Sequence, residues 1–370
     1  MRFEKDWGRL GLKFEELSQV SSYVSERIRI DEVNLDNYVS TENMISERGG
    51  VTKATKLPSG KTISVFQKGD ILISNIRPYF KKIWLADKSG GCSNDVLVVR
   101  ANEKISNRFL YYVLSSDNFF DYAVGTSKGT KMPRGDKKAI MKYKVPIYSL
   151  VEQEKIAEVL RAFDKKIILN KQINHHLEQM AITIFESMFT NVSSGQTTIG
   201  KYIIPKRGKN LLSKDAISGR VPVVAGGLQP STFHNIANTE HPVLTISASG
   251  ANAGYVNLWH VPVWASDSSY IDSKMTDNVY FWYVMLKRRQ QEIYDSQTGS
   301  AQPHIYPKHI EIMPTIELSK KEINLFTKRV TPLFKTVGNN LEEIKNLQNL
   351  RESLLPKLLS GEISVNQATK

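Results

Sequence analysis

Two long helical runs with the same apolar spacing constrain the fold of this chain more than any other feature. The first run lies in residues 150–190 and the second in residues 318–362. When residue 156 is placed over residue 326, the runs align without a gap, and the repeated positions step by alternating four and three residues. A 3.5-residue repeat held over about five heptads is typical of a coiled-coil seam.

The spacing assigns a matching set of seam positions to each helix, although Ala181, Met188 and Arg351 weaken the ends of the pattern. The predicted seam of the first helix is Ile156, Leu160, Phe163, Ile167, Asn170, Asn174, Leu177 and Ile184, and that of the second is Phe326, Val330, Leu333, Val337, Asn340, Ile344, Leu347, Leu354 and Leu358. In the stretch "LRESLLPKLLSGEI" the leucines recur at helical spacing, Pro356 interrupts the run of leucines, and Ser-Gly is expected to end the helical pattern.

Each helix carries an apolar stripe that needs a partner, so the two helices are predicted to pair. Asn170, Asn174 and Asn340 lie near the middle of the seam, where a buried asparagine costs stability but fixes register when it meets another polar group. The pattern alone fits a parallel or an antiparallel pair. An antiparallel pair is favoured because the folded domain between the helices can then sit at one end and its twin at the other.

The repeat continues upstream of the helices. "GTSKGTKMPRG" corresponds to "SQTGSAQPHIY", with Pro133 and Pro303 again 170 residues apart, and "DILISNIRPYF" corresponds to "PVLTISASGAN". Short β-branched runs such as "TISVF", "DVLVV", "VPVVA" and "VPVWA" predict strands. The fold class is therefore α+β: two β-rich domains separated by two long helices that form an antiparallel coiled coil, with a pseudo-twofold internal repeat. The predicted boundaries are 1–149, 150–190, 191–317, 318–362 and a tail of 363–370.

Two similar domains on a rod can act as a caliper. A helix of about 35 residues rises about 50 Å, and B-DNA repeats every roughly 34–36 Å. Such a rod can place two reading surfaces on one face of a duplex. This arrangement predicts a split target, in which two short specific segments are separated by bases that are not read.

Charge supports a polyanionic partner. The net charge is +13, and residues 1–149 hold 25 lysines and arginines against 17 acidic residues, whereas residues 191–317 hold 11 against 9. The densest stretch, "KGTKMPRGDKKAIMKYK" in residues 128–144, has seven basic residues and one acid, although a solvated surface run would read the same way. A single cysteine, a charged start and no apolar run longer than eight residues predict a cytoplasmic protein without a membrane span.

Motifs for catalysis are weak throughout the chain. "NIRPYF" has one proline and lacks the Asn/Asp-Pro-Pro-aromatic loop of an adenine methyltransferase, and "TKLPSGKT" lacks the first glycine of a phosphate-binding loop. His175 and His176 are adjacent on a helix and point to different sides, so they do not form an i, i+4 metal pair. We therefore expect no catalytic residue, no metal site and no cofactor in this chain.

The chain resembles the DNA specificity subunits of type I restriction-modification systems. The likeness is carried by "VEQEKIAEVLRAFDKKIILNKQINHHLEQMAITIF", by "LRESLLPKLLSGEI" and by "GDILISNIRPYFKKIWLADKSGGCSNDVLVVR", and it spans essentially the whole chain. The entry into each helix, "VPIYSLVEQ" and "MPTIELSKKEI", departs from the proline-rich pattern usual in the family.

The resemblance implies a subunit of a larger complex. It implies double-stranded DNA as the ligand and two methyltransferase subunits docked largely through the paired helices. It also implies motor-nuclease subunits as further partners. S-adenosylmethionine would then be bound by the methyltransferase, and ATP with magnesium by the motor-nuclease, while this chain supplies the recognition of the target.

Candidate DNA-binding residues are basic, amide and aromatic side chains in predicted loops, because these types reach base edges and phosphates. In the first domain they are Lys53, Lys56, Arg77, Tyr79, Lys81, Lys82, Lys128, Lys131 and Arg134. In the second domain they are Lys206, Arg207, Lys209, Asn210, Asn252, Gln302 and His304.

Two alternatives from other classes remain at this point. The chain could be an enzyme with its own recognition domains, which purified protein methylating DNA without a partner would favour. It could also be a coiled-coil scaffold whose β-rich domains bind proteins. A failure to bind any duplex with the partners present, whatever the salt, would favour that alternative.

Overall fold

The computed structural model describes residues 13–299 and 302–368, and the chain divides into two compact units. The first unit contains the described residues up to Ile167 together with those from Lys345 onward, and the second contains the described residues between 168 and 344. The unit boundaries fall within two long helices: the central helix, Leu150–Met188, and the C-terminal helix, Lys320–Ser360.

The first head, residues 13–149, is built around an antiparallel sheet whose inner strands are strongly apolar and buried. In spatial order its strands are Ser21–Tyr23, Val96–Ala101, Ile71–Ser74 and Ile83–Leu85. The other strands form a sheet of Arg27–Arg29, Thr62–Phe66, Gly90–Cys92 and Tyr38–Val39, and a pair of Lys13–Glu16 with Lys144–Ile147. Its α-helices are Leu17–Val20, Asn107–Ser115, Asp117–Gly125 and Lys137–Ile140, and a short helix, Val365–Ala368, lies in the same unit.

The second head, residues 191–317, repeats the main features of the first. Its four-stranded sheet has the strand order Lys206–Arg207, Ser268–Asp272, Val243–Ser247 and Val256–Trp259. The remaining strands are Thr232–His234, Val221–Val224 and Trp264–Ala265 in one sheet, and Thr197–Thr198 with Pro314–Thr315 in another. Its α-helices are Val279–Arg288, Gln290–Asp295 and Pro307–Glu311.

The internal repeat extends to sheet topology. In both heads the strand that ends in Ile-Ser lies at the third position of the four-stranded sheet, and the strands that open and close the head pair with each other. The two closing strands begin at Lys144 and Pro314, which are again 170 residues apart. The predicted fold class, with its repeated β-rich domains, is confirmed.

The two long helices run antiparallel in the first unit. Tyr148 Oη donates to the carbonyl of Leu358 at 3.1 Å, while farther along the central helix Asp164 Oδ1 pairs with Arg351 Nη1 at 2.7 Å. Positions that advance along one helix therefore meet positions that retreat along the other. Tyr112 Oη donates to the second oxygen of Asp164 at 2.8 Å, which ties the helix pair to the head.

The same direction holds in the second unit, where the seam asparagines are paired. Asn170 Nδ2 donates to Glu343 Oε2 at 2.7 Å, and Asn340 Nδ2 donates to Asn174 Oδ1 at 2.7 Å. Asn170 and Asn174 are buried, so these bonds offset the cost of placing amides among apolar neighbours. The antiparallel arrangement that the sequence favoured is confirmed.

Every predicted seam position is at least half-buried, but the two ends differ from the middle. Near the end of the central helix the fully buried residues are Ala181, Phe185 and Phe189, whereas Ile184 and Met188 pack only partly against the core. The buried positions there are four residues apart, because this part of the helix faces the head as well as its partner helix. The half-buried seam members are Phe163, Leu177, Ile184, Leu333, Asn340, Leu347 and Leu354, and the buried ones are Ile156, Leu160, Ile167, Asn170, Asn174, Phe326, Val330, Val337, Ile344 and Leu358.

Two prolines lie inside the C-terminal helix. The C-terminal helix continues through Pro332 and Pro356 to Ser360, and Gly361 follows with a φ of 73°. A proline inside a helix removes one hydrogen bond from its own nitrogen, but packing can hold the flanking turns together. Leu355, Leu358 and Leu359 are buried against the first unit's core, which supplies that packing.

Candidate nucleic-acid interface

A loop with unusual backbone geometry follows the buried strand Ile71–Ser74 of the first head. We call this loop, residues 75–82, strand-end loop 1. Arg77 and Lys81 have φ angles of 50° and 51°, a left-handed conformation uncommon for residues with a side chain. They flank the 3-10 turn Pro78–Phe80, which leaves Tyr79 46% exposed and Phe80 37% exposed. The loop therefore presents aromatic rings to solvent next to basic side chains.

The basic side chains of strand-end loop 1 differ in how they are held. Lys81 Nζ pairs with Asp117 Oδ1 at 2.7 Å, and Lys82 Nζ donates to the carbonyl of Thr41 at 2.7 Å. Burial lowers the pKa of Lys82. Arg77 Nε is buried and has no hydrogen-bond partner among the described residues. Arg77 is therefore the basic residue of this loop with an unsatisfied donor, which costs about 1–3 kcal/mol.

A hairpin from a distant part of the chain packs beside this loop. Hairpin 1, residues 128–134, is closed by reciprocal backbone hydrogen bonds of 2.9 Å between Lys128 and Arg134. Arg134 also forms a β-bridge with Ile76, and the N–H of Arg77 donates to the carbonyl of Pro133 at 2.8 Å. The structure thus brings together two groups of candidates that lie about fifty positions apart in the sequence.

Two of the three basic residues in hairpin 1 form ion pairs with aspartates. Lys128 Nζ pairs with Asp136 Oδ2 at 2.6 Å, and Arg134 Nη2 pairs with Asp95 Oδ1 at 3.2 Å. The hydrogen bond from Lys128 is the largest cause that lowers the pKa of Asp136 to about 2, and backbone N–H groups add to it. The exposed Lys131 forms no side-chain hydrogen bond or ion pair with any described residue.

Lys53 and Lys56 lie on a separate loop, which precedes the strand Thr62–Phe66. Both are exposed, and they pair with Asp36 at 3.0 Å and with Glu42 at 3.5 Å. Exposed pairs of this kind contribute about 0–1 kcal/mol, so both lysines can exchange partners readily. Glu42 follows Thr41, whose carbonyl accepts from Lys82 of strand-end loop 1, so the partner of Lys56 is adjacent in sequence to a residue that contacts that loop.

The second head carries a corresponding loop after the strand Val243–Ser247. Strand-end loop 2, residues 248–254, has Gly250 and Gly254 at φ angles of 80° and 86°, where a side chain would be strained. Asn252 Nδ2 donates to the carbonyl of Gly226 at 3.4 Å. The N–H of Gly250 donates to the carbonyl of Pro303 at 3.1 Å.

Hairpin 2 packs beside strand-end loop 2; its described residues are 298–299 and 302–304. Thr298 and His304 exchange backbone hydrogen bonds of 3.1 Å and 2.8 Å, and His304 also forms a β-bridge with Ser249. The His304 ring stacks on Tyr306 with 6.0 Å between centroids. Gln302 is exposed.

Among the remaining candidates of the second head, Arg207 is linked to strand-end loop 2 through Asp267. Arg207 Nη2 pairs with Asp267 Oδ1 at 2.6 Å, and the hydroxyl of Ser249 donates to Asp267 Oδ2. Lys206 lies on the same short strand as Arg207 and is exposed. Lys209 and Asn210 follow and are also exposed, with the Lys209 carbonyl accepting from Trp264 Nε1 at 2.8 Å.

Positive charge is concentrated on the first head. Lys131, Lys137, Lys138 and Lys142 are exposed, and their side chains form no hydrogen bond or ion pair with the described residues. The corresponding segment of the second head contains one lysine, Lys308, which pairs with Glu311 at 2.8 Å.

The sequence interpretation missed two residues that the structure places at the base of the site. Asn75 Oδ1 and Ser247 Oγ are buried and lack hydrogen-bond partners among the described residues. Asn75 follows the strand Ile71–Ser74, and Ser247 ends the strand Val243–Ser247. Their position at the end of a buried β-branched run is the sequence signal that could have identified them.

Other kinds of site find little support in the described part of the chain. It holds no group of three or more His, Cys, Asp or Glu side chains placed to bind a metal ion. No helix within it has both the length and the apolarity needed to cross a bilayer.

In each unit a β-rich head packs against segments of the two long helices, and each head carries exposed basic or amide side chains in its loops. Residues 30–179 match the family described as "Type I restriction modification DNA specificity domain". The chain is thus similar to the specificity subunits of type I restriction-modification systems.

Known relatives agree with this assignment. The specificity subunit of the type I restriction enzyme MjaIX from Methanocaldococcus jannaschii is 24% identical and covers 90% of this chain and 86% of its own length. The specificity subunit of the type I restriction enzyme EcoDI from Escherichia coli is 30% identical over 36% of this chain and 30% of its own length. The crystal structure of a type I S subunit from M. genitalium superposes with a TM-score of 0.59 at 19% identity, covering 94% of this chain and 96% of that one, which shows a shared fold.

Proposed function

We propose that this chain is a type I restriction-modification specificity subunit that reads a bipartite DNA target, with one half-site for each head. The observation that supports the proposal most directly is that each head contains a strand-end loop beside a hairpin. In both heads an N–H of the loop donates to the carbonyl of the hairpin proline, Pro133 or Pro303. The side chains on those elements differ between heads. Two heads that share a backbone arrangement but carry different surface side chains are suited to recognise two different half-sites.

In this proposal the chain has no catalytic activity of its own. It docks two methyltransferase subunits, which bind S-adenosylmethionine, and motor-nuclease subunits, which use ATP and magnesium. Exposed apolar residues on the long helices support docking: in the second unit Ile168 is 55% exposed, Leu169 49% and Leu341 47%. Large apolar side chains left in water on a helix surface are typical of protein–protein contacts.

The charges support double-stranded DNA as the ligand. Unpaired lysines on the first head attract phosphates independently of sequence, and Arg77 and Asn252 are of the types that bind guanine and adenine edges. Lys53, Lys56, Lys206, Lys209 and Asn210 remain predicted DNA contacts, because their side chains are exposed and are of types that bond to phosphates or base edges.

The experiment that tests the proposal is a map of methylated adenines in a host that expresses this chain with its methyltransferase subunit. We expect methylation at one sequence made of two fixed segments with a constant number of unspecified bases between them. A single continuous segment, or the same methylation without this chain, would contradict the proposal.

A further inference from the structure

The described residues of hairpin 2 match those of hairpin 1 in backbone pairing at an offset of 170 residues. Gly129 and Gly299 follow the first paired residue with φ angles of 94° and 95°, and a proline precedes the second paired residue in both. The bridging pairs, Lys128 with Arg134 and Thr298 with His304, coincide at this offset. The chain therefore provides an internal comparison of two reading surfaces.

The strand-end loops beside the hairpins are not the same. Strand-end loop 1 contains a 3-10 turn between two left-handed residues, Arg77 and Lys81, and exposes two aromatic rings. Strand-end loop 2 is a short glycine-rich turn around Asn252 without an aromatic residue. The backbone conformation therefore differs between the strand-end loops but matches in the described hairpin residues, although the side chains of the hairpins also differ.

Given the proposed function, this contrast separates two kinds of DNA contact. Phosphate contacts position a protein on the duplex and carry no direct sequence information, whereas base-edge contacts specify the sequence. Heads that read different half-sites need different base contacts, but they can hold the DNA backbone in the same way. This division of roles requires one element whose backbone is the same in both heads, the hairpin, beside one that differs, the strand-end loop.

We propose that hairpins 1 and 2 bind the sugar-phosphate backbone independently of sequence, and that strand-end loops 1 and 2 read the bases. This inference rests on the proposed function and assigns the candidates to roles. Lys131 is the phosphate contact of hairpin 1. At the offset of 170 residues hairpin 2 has the neutral Ala301, and its exposed polar candidate is Gln302. Arg77 is the principal base-reading residue of the first head, and Asn252 that of the second.

Side-chain pairing on the first head supports these assignments. Arg134 and Lys128 are held by Asp95 and Asp136, so their charges are partly neutralised, whereas the Lys131 ammonium group pairs with no acid among the described residues. Arg77, in contrast, has a buried and unsatisfied Nε and a constrained backbone. Strained, unsatisfied groups are common where a ligand completes the bonding.

The test exchanges the hairpin tips within the full chain, co-expressed with its methyltransferase subunit. In one variant residues 129–132, GTKM, are replaced by GSAQ, the sequence of residues 299–302. We expect the methylated sequence to be unchanged, with a lower fraction of sites modified. A change in the bases of the first half-site would overturn the inference.

A second variant, Arg77→Lys, keeps the charge but loses the guanidinium's bidentate geometry. It should relax or change the first half-site while the second stays the same, and an unaltered first half-site would contradict the role given to Arg77. Lys131→Gln, a single surface change that spares the fold, should reduce the slope of log affinity against log salt by about 0.9, equally for the mapped duplex and one with a scrambled first half-site. An effect on the mapped duplex alone would mean that Lys131 reads bases.

Failure of this inference is distinguishable from failure of the proposed function. If the unmodified chain gives a bipartite methylation map and the hairpin exchange alters the bases, only the division of roles is wrong. If the unmodified chain gives no bipartite map, the proposed function itself is wrong.

Discussion

Replacing Phe326 with alanine is expected to lower the free energy of unfolding of the second unit by about 3–5 kcal/mol. Phe326 is fully buried on the C-terminal helix, and its ring centroid lies 5.6 Å from that of Phe185, 6.0 Å from that of Phe189 and 5.9 Å from that of Phe281. The substitution leaves a cavity where the two helices meet the head. The loss should be measured by urea denaturation followed by circular dichroism.

The adjacent residue provides the control for this variant. Leu325 is 44% exposed, so Leu325→Ala removes similar apolar volume from the same turn of the helix without opening an internal cavity. It should cost well under half as much as Phe326→Ala. Equal losses of unfolding free energy for the two variants would mean that the Phe326 face of the helix does not pack in the core.

Neutralising the free lysines of the first head is expected to have the largest effect on DNA binding. The triple variant Lys131→Gln, Lys137→Gln and Lys138→Gln removes three exposed charges that form no ion pair with the described residues. Loss of three phosphate contacts would reduce the slope of log affinity against log salt by about 2.7, and affinity at low salt roughly ten- to a hundred-fold. Fluorescence anisotropy of a labelled duplex over a salt series measures both quantities.

A control of equal charge separates local contacts from net charge. Lys61, Lys68 and Lys104 are also exposed in the first head, and Lys68 lies just before the strand whose other end leads into strand-end loop 1. Their replacement by glutamine should leave the slope nearly unchanged. If both triple variants lowered it equally, the affinity would come from the net charge of the chain and not from the basic segment.

The helices were predictable because their periodicity is long and strong. A seam that repeats over five heptads fixes both helix type and partner, and the asparagine pair Asn174 and Asn340 lies within it as expected. The helix Val279–Arg288 was not predicted, because the run "VYFWYVML" is buried on all sides and lacks the polar face that reveals an amphipathic helix.

The site was harder to predict than the fold. The sequence indicated which basic and amide residues lie in loops, but not that Arg77 adopts a left-handed backbone or that Lys128 and Arg134 are engaged by Asp136 and Asp95. Those features depend on contacts between segments distant in sequence. Local propensity carries no information about such contacts.

Exchanging the second head tests the central claim most directly, because that claim is that each head reads its own half-site. Residues 191–317 would be replaced by the corresponding domain of a specificity subunit with a different target, and methylated adenines mapped by sequencing. We expect one half of the target to take the donor's sequence while the other half is retained. A map in which both halves change together, or neither changes, would contradict independent reading by the two heads.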